Sequence, residues 1–431
     1  MKIIEKLNKI WFGIDYPFLV QNNTEMKFSQ FVEQDSTDLS LVKEGDVVAL
    51  IGDFNLSCIL VLLRLIDLGA IIVPLTNETA YDHDYFFESA LVDFVIKGNS
   101  ISQRNHKQKN ELIEILKNKK HAGMVLFSTG TTGKPKAILH DLTLFLKRYE
   151  AQRQTLKTIN FMLFDHIGGI NTLLHTLFNK GVVVVPEFRT VDSILKTCKK
   201  HDVELLPTTP TFLRLMLMSG SVPDKVPTCI KVITYGTERM DQPTLDELTR
   251  LLPQIDFRQT FGMSELGIVR VKSEARNSLF MKIGGEGVET RVVNNILQIR
   301  SKSRMLGYLN APSPFDHEDW YDTKDIVDVK ENLYKVIGRV SDVINVGGLK
   351  FMSSEVERVV LSFPKVSLAK VIAKKNPITG EHVELSVQPI FKEVIDKDLL
   401  MIFLKKKLQP HMVPKRIVIE NINIGHRFKK N

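Results

Sequence analysis

Cysteine, tryptophan and long apolar runs are what this sequence has least of. Its three cysteines, Cys58, Cys198 and Cys229, are odd in number, widely separated and set among apolar neighbours. That excludes a disulfide-stapled scaffold and fits a reducing, cytoplasmic compartment. The longest greasy stretch, Cys58 to Leu75, is broken by Arg64 and Asp67 and is too polar to span a membrane. Met1–Ile10 interleaves apolar residues with Lys2, Glu5, Lys6 and Lys9 and has no secretory apolar core. Internal repeats and low-complexity tracts are absent. What is present, 43% apolar and 25% charged residues over 431 positions, excludes disorder and fits about two or three globular domains.

Net charge is also scarce over most of the chain. The total is +8, but residues 341–431 hold 16 Lys and Arg against 9 Asp and Glu, leaving about +1 for everything before them. A basic C-terminal region suits an anionic partner such as nucleic acid, a phosphorylated cofactor or an acidic protein, or is a solvated lysine-rich surface.

Short apolar runs alternate with helical spacing through the first 260 residues. Val47–Ile51, Ala70–Val73, Asp93–Ile96, Met124–Phe127, Val182–Val185, Val203–Leu206 and Val232–Thr234 read as buried strands. Leu56–Leu68, Gly169–Asn179, Val191–Lys200 and Leu245–Leu252 read as helices between them. The expectation is an α/β fold, a large N-terminal domain of helices on mostly parallel sheets. Around Gly284–Gln298 the pattern changes to short strands with glycine turns, a β-rich appendage. A smaller, mobile α+β domain is expected from a hinge at Ser341, dividing the chain into 1–340 and 341–431, with a capping box from Ser354 to Glu357 opening its first helix.

The densest chemical signal is Ser128-Thr129-Gly130-Thr131-Thr132-Gly133-Lys134-Pro135-Lys136, directly after an expected strand. Two glycines free the backbone to curl, hydroxyls and amides converge on phosphate oxygens, and lysines add charge. It is not a Walker loop, because only two residues separate its glycines and Pro135 follows Lys134.

This segment resembles the phosphate loop of the adenylate-forming superfamily, which includes acyl- and aryl-CoA ligases, peptide-synthetase adenylation domains and firefly luciferase. Further motifs follow in the family's order, so the resemblance runs from about Gly52 to the C-terminus. Gly69–Leu75 is similar to an early strand entry, and the segment before the loop is shorter than usual. Tyr235-Gly236-Thr237-Glu238 resembles the adenine-binding turn, and Thr260-Phe261-Gly262-Met263-Ser264-Glu265 the Tyr-Gly-x-Thr-Glu motif. The resemblance implies that Ser264 offers its hydroxyl to the α-phosphate, Glu265 an oxygen to Mg2+, and Phe261 an aromatic wall. Trp320-Tyr321-Asp322-Thr323-Lys324-Asp325 resembles a Thr-Gly-Asp motif whose Asp takes the ribose hydroxyls, with Lys324 in place of glycine. Gly338-Arg339-Val340-Ser341-Asp342 resembles the hinge, with Arg339 donating to the ribose. Asn345-Val346-Gly347-Gly348-Leu349-Lys350 looks like the CoA-ligase form, in which Gly347, Gly348 and Lys350 line a thiol tunnel and a side chain at Gly348 blocks pantetheine.

The catalytic lysine is expected at Lys429, with Lys430 its competitor, and Lys136 completes the catalytic set with Ser264 and Glu265. His166, Thr208, Thr209, Gly236, Thr260 and Ile268 are expected to face the acid. Asp165 offers an alternative alignment in which it holds an α-ammonium; the spacing to Gly181 favours His166 and an acid without an amino group. The resemblance implies ATP-dependent formation of an acyl-adenylate, release of pyrophosphate and transfer to CoA. It implies ATP, Mg2+ and CoA as cofactors, or a phosphopantetheine carrier protein as acceptor, and neither a nucleic-acid partner nor a transmembrane segment. A stand-alone enzyme loading a separate acidic carrier, and a degenerate nucleotide-binding protein, are the alternatives.

Overall fold

The computed structural model describes residues 2–34, 37–106, 108–128, 134–390 and 393–422, apart from the side chain of Ile268. Its first large sheet follows from the most apolar segments. Strands β1 (Val47–Ile51), β2 (Ile71–Leu75) and β4 (Gly123–Phe127) are buried at every position, as strands covered on both faces must be. They pair in parallel, with β3 (Phe94–Lys97) beside β1 and β5 (Ala137–Asp141) folded back antiparallel on β4. Between β1 and β2 runs α1 (Leu56–Leu68), opened by the Asn55 side chain accepting from the Cys58 N–H and closed by Gly69 in the left-handed region at φ 80°.

The second large sheet places β6 (Val183–Val185), β7 (Leu205–Thr208), β8 (Val232–Tyr235) and β9 (Asp256–Gln259) in one mostly parallel array, with Thr158–Ile159 between β6 and β7. Helices α2 (Ile167–Phe178), α3 (Val191–Lys200), α4 (Pro210–Met218) and α5 (Gln242–Leu251) connect these strands. The β-rich appendage is a six-stranded antiparallel sheet; it contains Met281–Gly284, Val288–Val293 and Ile296–Ser301 and closes on β11 (Tyr321–Lys330) and β12 (Leu333–Arg339). A short strand between them, β10 (Gly307–Tyr308), leaves the appendage and adds to the edge of β5.

From β13 (Val343–Val346) and β14 (Leu349–Met352) onward a five-stranded sheet and α6 (Ser353–Leu361) enclose a separate apolar core that includes Ile344, Val356, Val371, Leu385 and Leu404. Among the described residues no helix is long and apolar enough to cross a membrane, and all three cysteines are free.

Three local expectations are corrected. The strand placed at Val203–Leu206 is β7, two residues later: the Val203 N–H bonds the Cys198 carbonyl and closes the exit of α3 before pairing begins at Leu205. The capping box is not Ser354 with Glu357. Helix α6 starts at Ser353, the Glu355 carboxylate accepts from the Met352 N–H at 3.0 Å, and Glu357 instead accepts from the Val371 N–H at 3.1 Å, tying the helix to the sheet. Helix α5 begins at Gln242, three residues before Leu245, because Asp241 caps it by accepting from the Thr244 N–H.

Candidate active site

The segment that resembles a phosphate loop lies between β4 and β5. Its base is fixed by two hydrogen bonds: the Ser128 N–H donates to the Lys136 carbonyl at 3.0 Å, and the Lys136 N–H donates to Ser128 Oγ at 2.9 Å. Thr129, Gly130, Thr131, Thr132 and Gly133 lie outside the described residues. Lys136 leaves this base exposed, with Nζ 4.8 Å from the centre of the Tyr308 ring.

Tyr308 reaches that position because segment 305–310 is laced to two other parts of the chain. Tyr308 pairs with Ile138, the Leu306 N–H donates to Leu139 and the Leu309 N–H to Ala137, so the segment follows β5. The Asn310 side chain accepts from the Ala137 N–H and donates to the Pro135 carbonyl, fastening the exit of the loop. The Met305 N–H donates to the carbonyl of Glu265 at 2.8 Å. The Tyr308 hydroxyl donates to Glu265 Oε1, also at 2.8 Å. Lys136 and Glu265, proposed from separate motifs, are thereby assembled around one phenol.

His140 supports the same turn from below. It is buried, and its Nε2 lies 2.6 Å from the Ser264 carbonyl, so that nitrogen carries the proton and donates. Burial pulls its pKa down to about 4, keeping the ring neutral.

Asp325 and Arg339 face each other across β11 and β12, Nε to Oδ1 at 3.0 Å, while a second Arg339 nitrogen donates to the Thr323 carbonyl. Burial raises the Asp325 pKa to about 6 despite the opposing pull of Arg339. Lys324, standing where the resembling motif has glycine, adopts φ 61° and so keeps the left-handed turn that glycine would supply without strain. Tyr321 stands near both groups of residues. Burial raises its phenol pKa first, and it stands within electrostatic reach of Glu265, Arg339 and Asp325, beside the Tyr308 hydroxyl.

The adenine-turn residues sit at the carboxyl ends of β7, β8 and β9, where parallel sheets place their ligands. Gly236 is required by packing: a Cβ there would stand 2.0 Å from Thr260 Oγ1. The Thr260 hydroxyl donates to the Tyr235 carbonyl at 3.1 Å. Thr237 is exposed at φ 68°, and Glu238 accepts from the Thr211 N–H in the first turn of α4. Thr209 is buried as the N-cap of α4, accepting from the Phe212 N–H; the Thr208 hydroxyl is buried and makes no hydrogen bond to the described residues. Phe261 and Met263 pack against the core of the appendage, and Gly262 pairs with Ile268, whose side chain is outside the described residues. His166 caps α2, its Nδ1 accepting from the Gly168 N–H at 3.0 Å, and Asp165 beside it is buried.

Beyond Arg339 the chain makes a single 3-10 turn, Val340–Asp342, held by the Arg339 N–H and the Ser341 hydroxyl donating to the two oxygens of Asp342. Gly347 and Gly348, at φ 61° and 86°, form a two-residue hairpin of the I′ kind between β13 and β14. A Cβ on either would meet nothing within 4 Å, so in this arrangement their backbone conformation, not crowding, requires glycine. Lys350 lines an open cavity of about 590 Å³ with Val340, Val343, Asn345, Gly380 and Glu381. Among the described residues no hydrogen bond or ion pair joins this hairpin to Lys136, Glu265 or Asp325. From the C-terminal unit, Glu357 and Arg358 of α6 lie in electrostatic reach of half-buried Arg239. Lys429 and Lys430 lie outside the described residues.

The sequence reading missed Tyr308 and His140, and it passed over Tyr321 within a motif quoted for its Asp. No local pattern distinguishes Gly307-Tyr308 from any strand edge; its pairing with β5 is the signal, and pairing is non-local.

Comparison with known proteins bears on the family and the fold. The family model for AMP-binding enzymes matches residues 39–299. 4-Coumarate–CoA ligase 4 of Arabidopsis thaliana is 23% identical over 291 residues, covering 59% of this chain and 51% of that protein, so the chain matches about half the length of this relative. Among solved structures, the anthranilate CoA ligase AuaEII in complex with anthranoyl-AMP superimposes with a TM-score of 0.79 at 16% identity, over 100% of this chain and 95% of that one. The amide bond synthetase McbA from Marinactinospora thermotolerans gives 0.74 at 16% identity, over 99% and 98%. At such identities the superpositions speak for the fold, a large N-terminal domain and a smaller C-terminal one, while the sequence-level match decides the family. The chain belongs to the AMP-binding enzyme family, within the adenylate-forming superfamily.

Proposed function

We propose that this protein joins a small carboxylic acid to ATP, forming an acyl-adenylate with release of pyrophosphate, and then transfers the acyl group to a thiol, CoA in the first instance. The observation that carries the reading is the contact chain Lys136–Tyr308–Glu265 with Tyr321 in electrostatic reach of both Glu265 and the Asp325–Arg339 pair, which brings phosphate-, metal- and ribose-directed groups together from five segments of the chain.

The chemistry explains why such a cluster is needed. A carboxylate attacking the α-phosphate brings two anions together, and cations must quench the repulsion. Lys136 supplies one beside the loop, and Lys429 is the proposed second, bridging carboxylate and α-phosphate. Asp325 accepts from the ribose hydroxyls and Arg339 donates there. Among the described residues no three His, Cys, Asp or Glu side chains form a metal cage. A lone Glu265 carboxylate beside a phosphate loop fits Mg2+, a hard ion that keeps its waters and takes its other ligands from phosphates. When bound, Mg2+ neutralises phosphate charge; Glu265 holds an oxygen toward it. For the second step, the hairpin Gly347–Gly348 with Lys350 is the proposed thiol face. Ser341 is the proposed pivot between bodies 1–340 and 341–431, exchanging Lys429 for that face. His166, Thr208, Thr209, Gly236, Thr260 and Ile268 are proposed around the acid.

A carrier protein is the second reading for the acceptor, favoured by the excess of positive charge after residue 340. Acid-dependent exchange of pyrophosphate into ATP across a broad acid panel tests the first step: exchange with at least one acid is expected, and none with any acid replaces this reading with a nucleotide-binding protein without turnover. Supplying CoA or holo-carriers in parallel tests the second, since acylation of carriers alone would remove CoA.

A further inference from the structure

Two long side chains of opposite charge that touch the same residue can close into an ion pair unless that residue keeps them apart. Lys136 and Glu265 are such a pair, and among the described residues neither takes part in an ion pair. Tyr308 stands between them, its ring 4.8 Å from the ammonium of Lys136 and its hydroxyl 2.8 Å from Glu265 Oε1. The ring attracts the cation through its electron-rich face, and the hydroxyl satisfies one carboxylate oxygen while leaving Oε2 available. The spacer is anchored to both segments whose charges it divides: by strand pairing to β5, immediately after Lys136, and by the Met305 N–H to the Glu265 carbonyl. Toward the carboxylate, which can only accept, the hydroxyl acts as the donor.

We infer that Tyr308 is a positioning residue that stops Lys136 and Glu265 from neutralising each other, presenting the first to phosphate oxygens and the second to the divalent cation that accompanies them. The inference rests on the nucleotide-site reading given above. Removing the hydroxyl frees Glu265 to rotate toward Lys136, which damages the metal-directed function before the phosphate-directed one. Removing the ring as well damages both.

Calorimetric titration with Mg·ATP, and with ATP in EDTA, tests this on the full chain without reliance on turnover. Wild type is expected to prefer Mg·ATP. Tyr308→Phe, which keeps the ring, is expected to reduce that preference by about tenfold, the loss typical of removing a partner from a metal ligand, with metal-free ATP binding retained. Tyr308→Leu is expected to weaken both forms. The double variant Tyr308→Phe with Glu265→Gln is expected to behave as Glu265→Gln alone, because the hydroxyl acts through that carboxylate. An unchanged preference in Tyr308→Phe, an equal loss for both nucleotide forms, or full additivity in the double variant overturns the inference and marks Tyr308 as a packing residue. Wild type binding neither form overturns the nucleotide-site reading itself, an outcome separable from the other three.

Discussion

Lys136 and Glu265 are held by side chains and strand pairs converging from three segments, whereas the Gly347–Gly348 hairpin is shaped by its own dihedral angles and faces open space. The first region is preorganised. Its polar groups are already oriented by Tyr308, His140 and segment 305–310, so a charged ligand meets fixed dipoles and little reorganisation. The second is a backbone surface; under the proposed function it slides past a flexible thiol arm and needs rigid-body motion to reach the first. A chain that must run two reactions at one centre can fix the groups for one in place and deliver those for the other.

Substitutions at the two ends of the proposed cycle should separate these regions. Lys429→Ala should lower acid-dependent pyrophosphate exchange by at least about a hundredfold, the scale of losing one transition-state charge contact. Thioester formation from synthetic acyl-adenylate should survive, and loss of both half-reactions would make this lysine structural. Gly348→Leu should show the reverse, with pyrophosphate release retained and thiolation blocked. Gly348→Ala should share its conformational cost of about 1–2 kcal/mol, visible in denaturant melting, with less block of thiolation. Leucine and alanine variants that thiolate equally well would erase the distinction between the two regions.

The rigid region also carries a pH signature. The folded pKa of His140 lies near 4, below its ordinary value of 6.5, so its contribution to stability is complete above pH 6.5 and is lost as pH falls from there toward 4. The loss should be on the order of 3 kcal/mol relative to His140→Gln, which retains a donor for the Ser264 carbonyl. Urea midpoints of both proteins at pH 7 and pH 4 measure it, and parallel midpoints would show that the ring is hydrated. The smallest effect is expected at Lys324. Lys324→Gly should raise stability by about 1 kcal/mol by removing a left-handed lysine. Its exposed contact with Asp322 offsets little of that gain, and a lower melting temperature would mean that the contact outweighs the strain.

Individual residues show where sequence reasoning reached and where it stopped. Leu56–Leu68 and Val191–Lys200 are helices over the whole of their expected lengths, because apolar spacing and local caps decide them within the segment. His166, expected at the acid, caps α2 in the structure, a use that depends on where the helix begins. Ser354 and Glu357 have the spacing of a capping box, yet Glu355 takes the cap and Glu357 bonds a neighbouring strand. The competing partner, Val371, is invisible to a local pattern. Val203 is apolar enough for a strand but is held by the turn that ends the preceding helix.

The sequence by itself determined the buried parallel strands, the motifs in their order, and the glycines that a left-handed hairpin needs, since each depends on periodicity or conformational preference within a few residues. Only the tertiary structure decided that Tyr308 stands between Lys136 and Glu265, that His140 is neutral beneath Ser264, and that Tyr321 stands near both Glu265 and Asp325. Those outcomes depend on strand pairing and burial between distant segments, and burial sets a charge or a proton's place only after the surrounding chain has excluded water.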